Sequence, residues 1–122
     1  MTEDLATWLL EQIAAKEREA SRLAALIADG YFDERDDEFR RDPSGELAEC
    51  DAKRRIVAKV HNTWDRLHPD HADNDGDMGC VGCGFRSDSS DRMIGHVDKC
   101  PVLRALAQPY AHRPGYRPEW KP

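Results

Sequence analysis

Cys80-Val81-Gly82-Cys83, followed after twelve residues by His96-Val97-Asp98-Lys99-Cys100, reads as C-x2-C-x12-H-x3-C. This is zinc-ligand spacing with cysteine in place of the last histidine, and Zn²⁺ favours four such soft or borderline donors in a tetrahedron. A Cys-x-x-Cys turn supplies two thiolates from one knuckle, and Gly82 and Gly84 let its backbone curl so that amides face the sulfurs. His96 and Cys100 stand four residues apart, one above the other on a single helix face. The predicted ligands are therefore Cys80, Cys83, His96 and Cys100, a structural C2HC zinc. Met93 takes the position where a finger helix buries an apolar residue under its metal. Phe85 comes two residues too early for the finger aromatic, so a related knuckle is expected rather than a standard ββα finger. The competing readings are unligated thiols and a redox Cys-x-x-Cys, and the redox motif lacks the βαβ context it needs.

A metal clamp suits the rest of the chain. Hydrophobic residues make up 39% of the 122 and charged ones 34%, which leaves a thin core that a staple or a partner must support. A net charge of −6 argues against coating nucleic acid with the whole surface. The opening Met1 to Leu10 carries Glu3 and Asp4 where a secretory signal carries basic residues, so no signal peptide is expected. No run approaches the roughly 20 apolar residues of a membrane span. A reducing, cytoplasmic setting is expected, in which four cysteines favour metal over disulfides.

Upstream, the periodicity predicts a mainly α protein. Ala6, Leu9, Ile13, Ala20, Leu23 and Ile27 share one seam of a helix over residues 2–29, capped by Thr2 and ended by Gly30, with Lys16 as its exception. Residues 31–43 dissolve into charge and read as a solvated connection closed by Asp42-Pro43. A second helix is predicted from Ser44 to Leu67, broken by His68-Pro69. Its seam is Cys50, Val57, Val60, Trp64 and Leu67, again interrupted by a lysine, Lys53. Arg55, Lys59, Asn62 and Arg66 cluster nearly opposite, as a basic stripe. The two helices form an antiparallel hairpin over 1–68. An acidic linker, 69–79, follows, and its Asp73, Asp75 and Asp77 lack the glycine and glutamate placement of a calcium loop. His61, His68 and His71, with Asp70, are read as surface residues in preference to a second metal site.

The third segment, 80–122, is the zinc-knuckle module and tail. Ser89-Ser90-Asp91 caps a short helix carrying Met93, His96 and Cys100. Pro101 begins another over Val102 to Gln108, with Leu103 and Leu106 inward. The tail, with Tyr110, Tyr116 and Trp120 among Pro109, Pro114 and Pro118, is expected to lie extended along the hairpin and cover its apolar face.

Two segments carry a resemblance. Asp42-Pro43 through Leu47, Glu49 and Ala52-Lys53-Arg54-Arg55-Ile56-Val57 is one. The other is Cys100-Pro101-Val102-Leu103-Arg104-Ala105-Leu106-Ala107 with Pro109-Tyr110-Ala111-His112, Pro114, Tyr116 and Glu119-Trp120-Lys121-Pro122. Together with Cys80-x-x-Cys83 they resemble the domain of unknown function 6221, over the C-terminal two thirds of the chain. Residues 31–41 depart from it, being shorter and more acidic than the family's linking region. The resemblance implies small cytoplasmic proteins of actinobacteria and their phages, with a cysteine knuckle and no established activity.

The leading expectation is a non-catalytic interaction module with a protein partner, and a leftover apolar face that leaves room for a homodimer. The alternative is nucleic-acid binding. Residues 50–68 carry five basic against two acidic side chains and residues 101–122 four against one. Its contacts would be Arg55, Lys59, Arg66, Arg113, Tyr116, Arg117, Trp120 and Lys121, whose mix of cations and aromatics suits phosphates and stacked bases. A zinc-dependent enzyme ranks third, because four protein ligands leave no open coordination position and no nucleophile elbow or phosphate loop appears. Cys83→Ser is expected to cost the metal and the folded C-terminal third while the hairpin keeps its helicity.

Overall fold

The computed structural model describes residues 3–30, 42–71, 77–86 and 91–122. Helix α1 runs Leu5–Ala28, and its start is set by Asp4, whose carboxylate accepts from the Thr7 amide at 3.0 Å. Asp4 thus takes the capping role expected of Thr2, which lies outside the described residues. The buried face of α1 is Leu5, Ala6, Trp8, Leu9, Ile13, Ala20 and Leu23. This is the predicted seam as far as Leu23, with a gap at Lys16, widened by Leu5 and Trp8, while Ile27 is only partly buried.

Helix α2, Pro43–Lys59, begins with Asp42 accepting from the Gly45 amide at 3.0 Å and proline in its first position, where the missing amide costs nothing. It ends one third short of the expected Leu67. The Val60 and His61 amides both turn onto the Ile56 carbonyl, at 3.3 and 2.8 Å. Asn62 then stops the helix, donating from its side chain to the Val57 carbonyl at 3.1 Å and accepting from the Thr63 amide at 2.9 Å. Thr63 caps a separate single turn, α3, Trp64–Leu67. The break exchanges two predicted roles: Val60, expected in the seam, is 46% exposed, and Asn62, expected on the basic stripe, is buried. The stripe is therefore not continuous.

Side by side, α1 and α2 pair Glu17 with Arg54, while Arg66 beyond the break grips Asp4 at the start of α1. Residues ascending in one helix thus meet residues descending in the other. No helix among the described residues is long and apolar enough to cross a membrane.

The predicted helix carrying Met93, His96 and Cys100 does not form. His96 is extended (φ −149°), residues Val97–Lys99 make one 3-10 turn, and α4, Pro101–Ala107, starts at the proline as expected. An antiparallel bridge between Phe85 and Arg92 closes the knuckle loop, and Arg92 is held there by Asp77 at 3.1 Å. Met93 is 51% exposed rather than buried.

After α4 the tail folds back over α1 through 3-10 turns at Gln108–Tyr110 and Pro118–Trp120. Trp8 donates from its indole to the Pro114 carbonyl at 3.0 Å. The rings of Trp8, Tyr116 and Trp120 lie with centroids 5.4 to 5.8 Å apart. Gly115 makes this approach feasible: its φ is +92°, and a Cβ there would sit 2.6 Å from the Trp8 indole nitrogen. Trp120, the largest fully buried side chain among the described residues, joins Leu5, Ile13, Cys50, Val57, Cys80, Val97, Cys100 and Leu103 in one core. Helices, knuckle and tail share that core.

Candidate metal centre

The break in α2 has a second consequence. It turns His61 sideways, toward the knuckle, and the Val81 amide donating to the Asn62 carbonyl at 3.0 Å ties the two segments together. Gly82 lies so close that a Cβ on it would stand 2.6 Å from the Val60 carbonyl and 2.9 Å from His61 Nδ1. The knuckle is a 3-10 turn, Val81–Cys83, closed by the Gly84 amide on the Val81 carbonyl. Cys100 arrives at the head of α4, its amide bound to the Val97 carbonyl at 3.0 Å.

These three segments bring His61, Cys80, Cys83 and Cys100 together, with all four donor atoms within 4.8 Å of one another. His61 Nδ1 is 3.3 Å from Cys80 Sγ, 3.7 Å from Cys83 Sγ and 3.5 Å from Cys100 Sγ. Cys100 Sγ is 3.7 Å from Cys80 Sγ and 3.6 Å from Cys83 Sγ. Cys80 and Cys100 are buried, Cys83 and His61 partly so. Such a group can hold a metal ion.

The three predicted cysteines converge; the predicted histidine does not join them. His96 Nδ1 accepts from the Asp98 amide at 3.0 Å, capping the 3-10 turn, and its side chain is 40% exposed. Asp98 in turn accepts from the Leu5 amide at 2.7 Å. The imidazole of His96 is spent on a local cap, and its extended backbone takes it off any face shared with Cys100. His61, expected at the surface with a second metal site beside His68, His71 and Asp70 as the alternative, instead joins the three cysteines, because the end of α2 turns it toward the knuckle. The cysteine spacing does not say whether the histidine precedes or follows the knuckle.

Electrostatically the thiols are unequal. Hydrogen bonding from the Cys80 thiol holds Cys100 down at about 5 against the burial that would raise it, and the amides of Leu103 and Val102 act in the same direction. The same hydrogen bond, with burial, pushes Cys80 up, and burial pushes Cys83 up. A bound cation would draw the protons off these thiols. Cys50 is buried in the core away from this group, with its thiol raised first by burial.

The other predicted contacts scatter. Arg55 pairs with Asp51 at 3.1 Å, Arg66 with Asp4, and Arg117 with Glu119 at 2.7 Å. Lys59 and Lys121 are exposed. Arg113 lies over the Tyr110 ring, with its centroid 5.5 Å away. Trp120 is wholly buried, and Tyr116, partly buried, packs edge-on against it. His68 stacks on Trp64 with centroids 4.1 Å apart, away from the cysteine group.

A family model described as a family of unknown function, DUF6221, matches residues 2–122, including the segment 31–41 that the resemblance left out. No curated protein and no solved structure matches the chain.

Proposed function

The chain belongs to DUF6221, a family of unknown function, and we propose that it is a zinc-braced, non-catalytic interaction module. Zinc fits the donor set. Tetrahedral bonds of about 2.3 Å to sulfur and 2.0–2.1 Å to nitrogen give sulfur–sulfur edges of about 3.8 Å and sulfur–nitrogen edges of about 3.6 Å. Five of the six edges are observed at 3.6 to 3.7 Å for Cys100 to the other two sulfurs and 3.3 to 3.7 Å for His61 to the three sulfurs, and the sixth, between Cys80 and Cys83, lies within 4.8 Å. His61, Cys80, Cys83 and Cys100 would hold the ion, which supplies folding energy by joining the end of α2, the knuckle and the head of α4. That match of edge lengths is the observation that carries the reading. Four protein donors complete a tetrahedron and leave no position for water or substrate, which supports a structural role.

The surface around the knuckle supports the interaction role. Val60, Phe85 and Met93, at 46%, 55% and 51% exposure, are the exposed large hydrophobics among the described residues. All three border the same turn. Val60 lies against Gly82, Met93 donates its amide to the Gly84 carbonyl, and Phe85 follows Gly84. The metal thereby rigidifies a small apolar face that a protein partner can cover. Nucleic acid is the less favoured reading, since of the tail aromatics Tyr110 and Trp120 are buried and Tyr116 packs against the core.

Metal analysis and partner capture on the same samples test this reading. One zinc per chain is expected, together with a partner from the native host that is retained by wild type and lost by Phe85→Ser/Met93→Ser. The double variant should keep its zinc and its melting temperature. A zinc-free chain, or a double variant that holds the same partner equally well, would refute the proposal.

A further inference from the structure

A cleft of about 460 Å³ opens where the middles of α1 and α2 meet the turn after α4, lined by Lys16, Glu19, Lys53, Tyr110, His112 and Arg113 among others. That size falls in the range of small-molecule sites, about 300–1,000 Å³. Its chemistry explains the two lysines that interrupt the apolar seams. Lys16 and Lys53 occupy the same level of the helix pair, and both act on the Cys50 thiol between them. Lys53 Nζ and the Arg113 guanidinium approach the Tyr110 ring at 5.3 and 5.5 Å from its centroid. Glu19 is shared, 4.0 Å from Lys16 and 3.5 Å from Arg113. Glu46 and Glu49 of α2 also act on Cys50 but do not line the cleft.

We propose that this cleft binds the phosphate group of a small phosphorylated molecule. Three cationic side chains line it against one carboxylate, so the lining carries a surplus of two positive charges. A phosphate monoester carries about −1.5 to −2 at pH 7 and would balance that surplus. Lys16 and Arg113 are only 32% and 19% exposed, so the cations are partly desolvated and charge-assisted hydrogen bonds to an anion gain strength there. The Tyr110 ring, 5% exposed, serves as an aromatic floor that holds Lys53 and Arg113 in place. The volume beyond the phosphate leaves room for an organic remainder. This inference is independent of the metal centre.

Calorimetric titration of the full chain with inorganic phosphate and with adenosine 5′-monophosphate, at low salt, tests it. Saturable binding of at least one probe is expected. Lys16→Gln/Lys53→Gln should weaken it at least about tenfold, since two charge-assisted contacts are removed. Glu19→Gln should strengthen it by removing the competing carboxylate, and Arg22→Gln, exposed on α1 outside the cleft, should leave it unchanged. Tighter binding of the nucleotide would show that the organic remainder is also held, while equal affinities would place recognition in the phosphate alone. Absence of saturable binding by either probe would overturn the proposal, as would equal weakening by Arg22→Gln. Should the double lysine variant fail to fold, Glu19→Gln decides: unchanged or weaker binding of both probes sinks the idea.

Discussion

Asp4 and His61 show how much a single side chain decides in this protein. Asp4 caps α1 through the Thr7 amide and also grips Arg66 beyond α2. Burial pushes its carboxyl up, but the Arg66 hydrogen bond and charge and the Thr7 amide outweigh that and hold it below its ordinary 3.8. A depressed folded value means that this stabilisation is complete above the unfolded carboxyl range and is lost as pH falls through the folded one. Asp4→Ala should cost about 1–2 kcal/mol at pH 7 by removing the cap. Asp4→Asn should keep the cap, cost less, and flatten the loss of stability below about pH 4; chemical denaturation across pH checks both. At this scale the cysteines were legible and the histidine was not, because Cys80, Cys83 and Cys100 need only the knuckle and the proline-started helix. The histidine depends on where α2 stops, and that is set by Asn62 finding the Val57 carbonyl.

Among the elements, the decisive one is the interruption between α2 and α3. Apolar periodicity ran through it, since Val57, Val60, Trp64 and Leu67 continue a helical stripe, and no glycine or proline marks a stop before Pro69. The signal that ends the helix is a side chain competing for a backbone carbonyl, which periodicity does not register. The reverse error fell on residues 91–100, where helical spacing of His96 and Cys100 suggested a helix and the local cap of His96 on Asp98 replaces it. By contrast α1 was legible from its apolar seam, though its cap is Asp4 rather than Thr2, and the starts of α2 and α4 from Asp42-Pro43 and Pro101. Gly82 is the contact point of knuckle and helix end. Gly82→Ala should force a Cβ against the Val60 carbonyl and His61, lowering metal affinity and the melting temperature together. Unchanged affinity with an unchanged melting curve would show that the knuckle does not rest on the end of α2.

For the whole molecule, one buried core joins residues of the helices, the knuckle and the tail. Trp120→Ala should destabilise by about 3–5 kcal/mol, as for a large aromatic removed from a packed core, against a total of about 5–15 kcal/mol for ordinary domains. A denaturation midpoint close to wild type would contradict the buried position of the tail. The shared core also revises the expectation for Cys83→Ser. Helical and aromatic circular dichroism should be lost in a single transition at lower temperature, rather than leaving the helix pair intact. Retained helicity after the aromatic signal has melted would restore two separable parts. What the whole depends on is the identity of the fourth donor, and a competitive chelator titration of His61→Ala beside His96→Ala tests it most directly. His96→Ala should hold zinc as tightly as wild type, whereas His61→Ala should lose on the order of 100-fold or more, at or above the 10–100-fold cost of an outer-shell partner. Zinc held normally by His61→Ala and weakly by His96→Ala would contradict the arrangement of His61 with Cys80, Cys83 and Cys100.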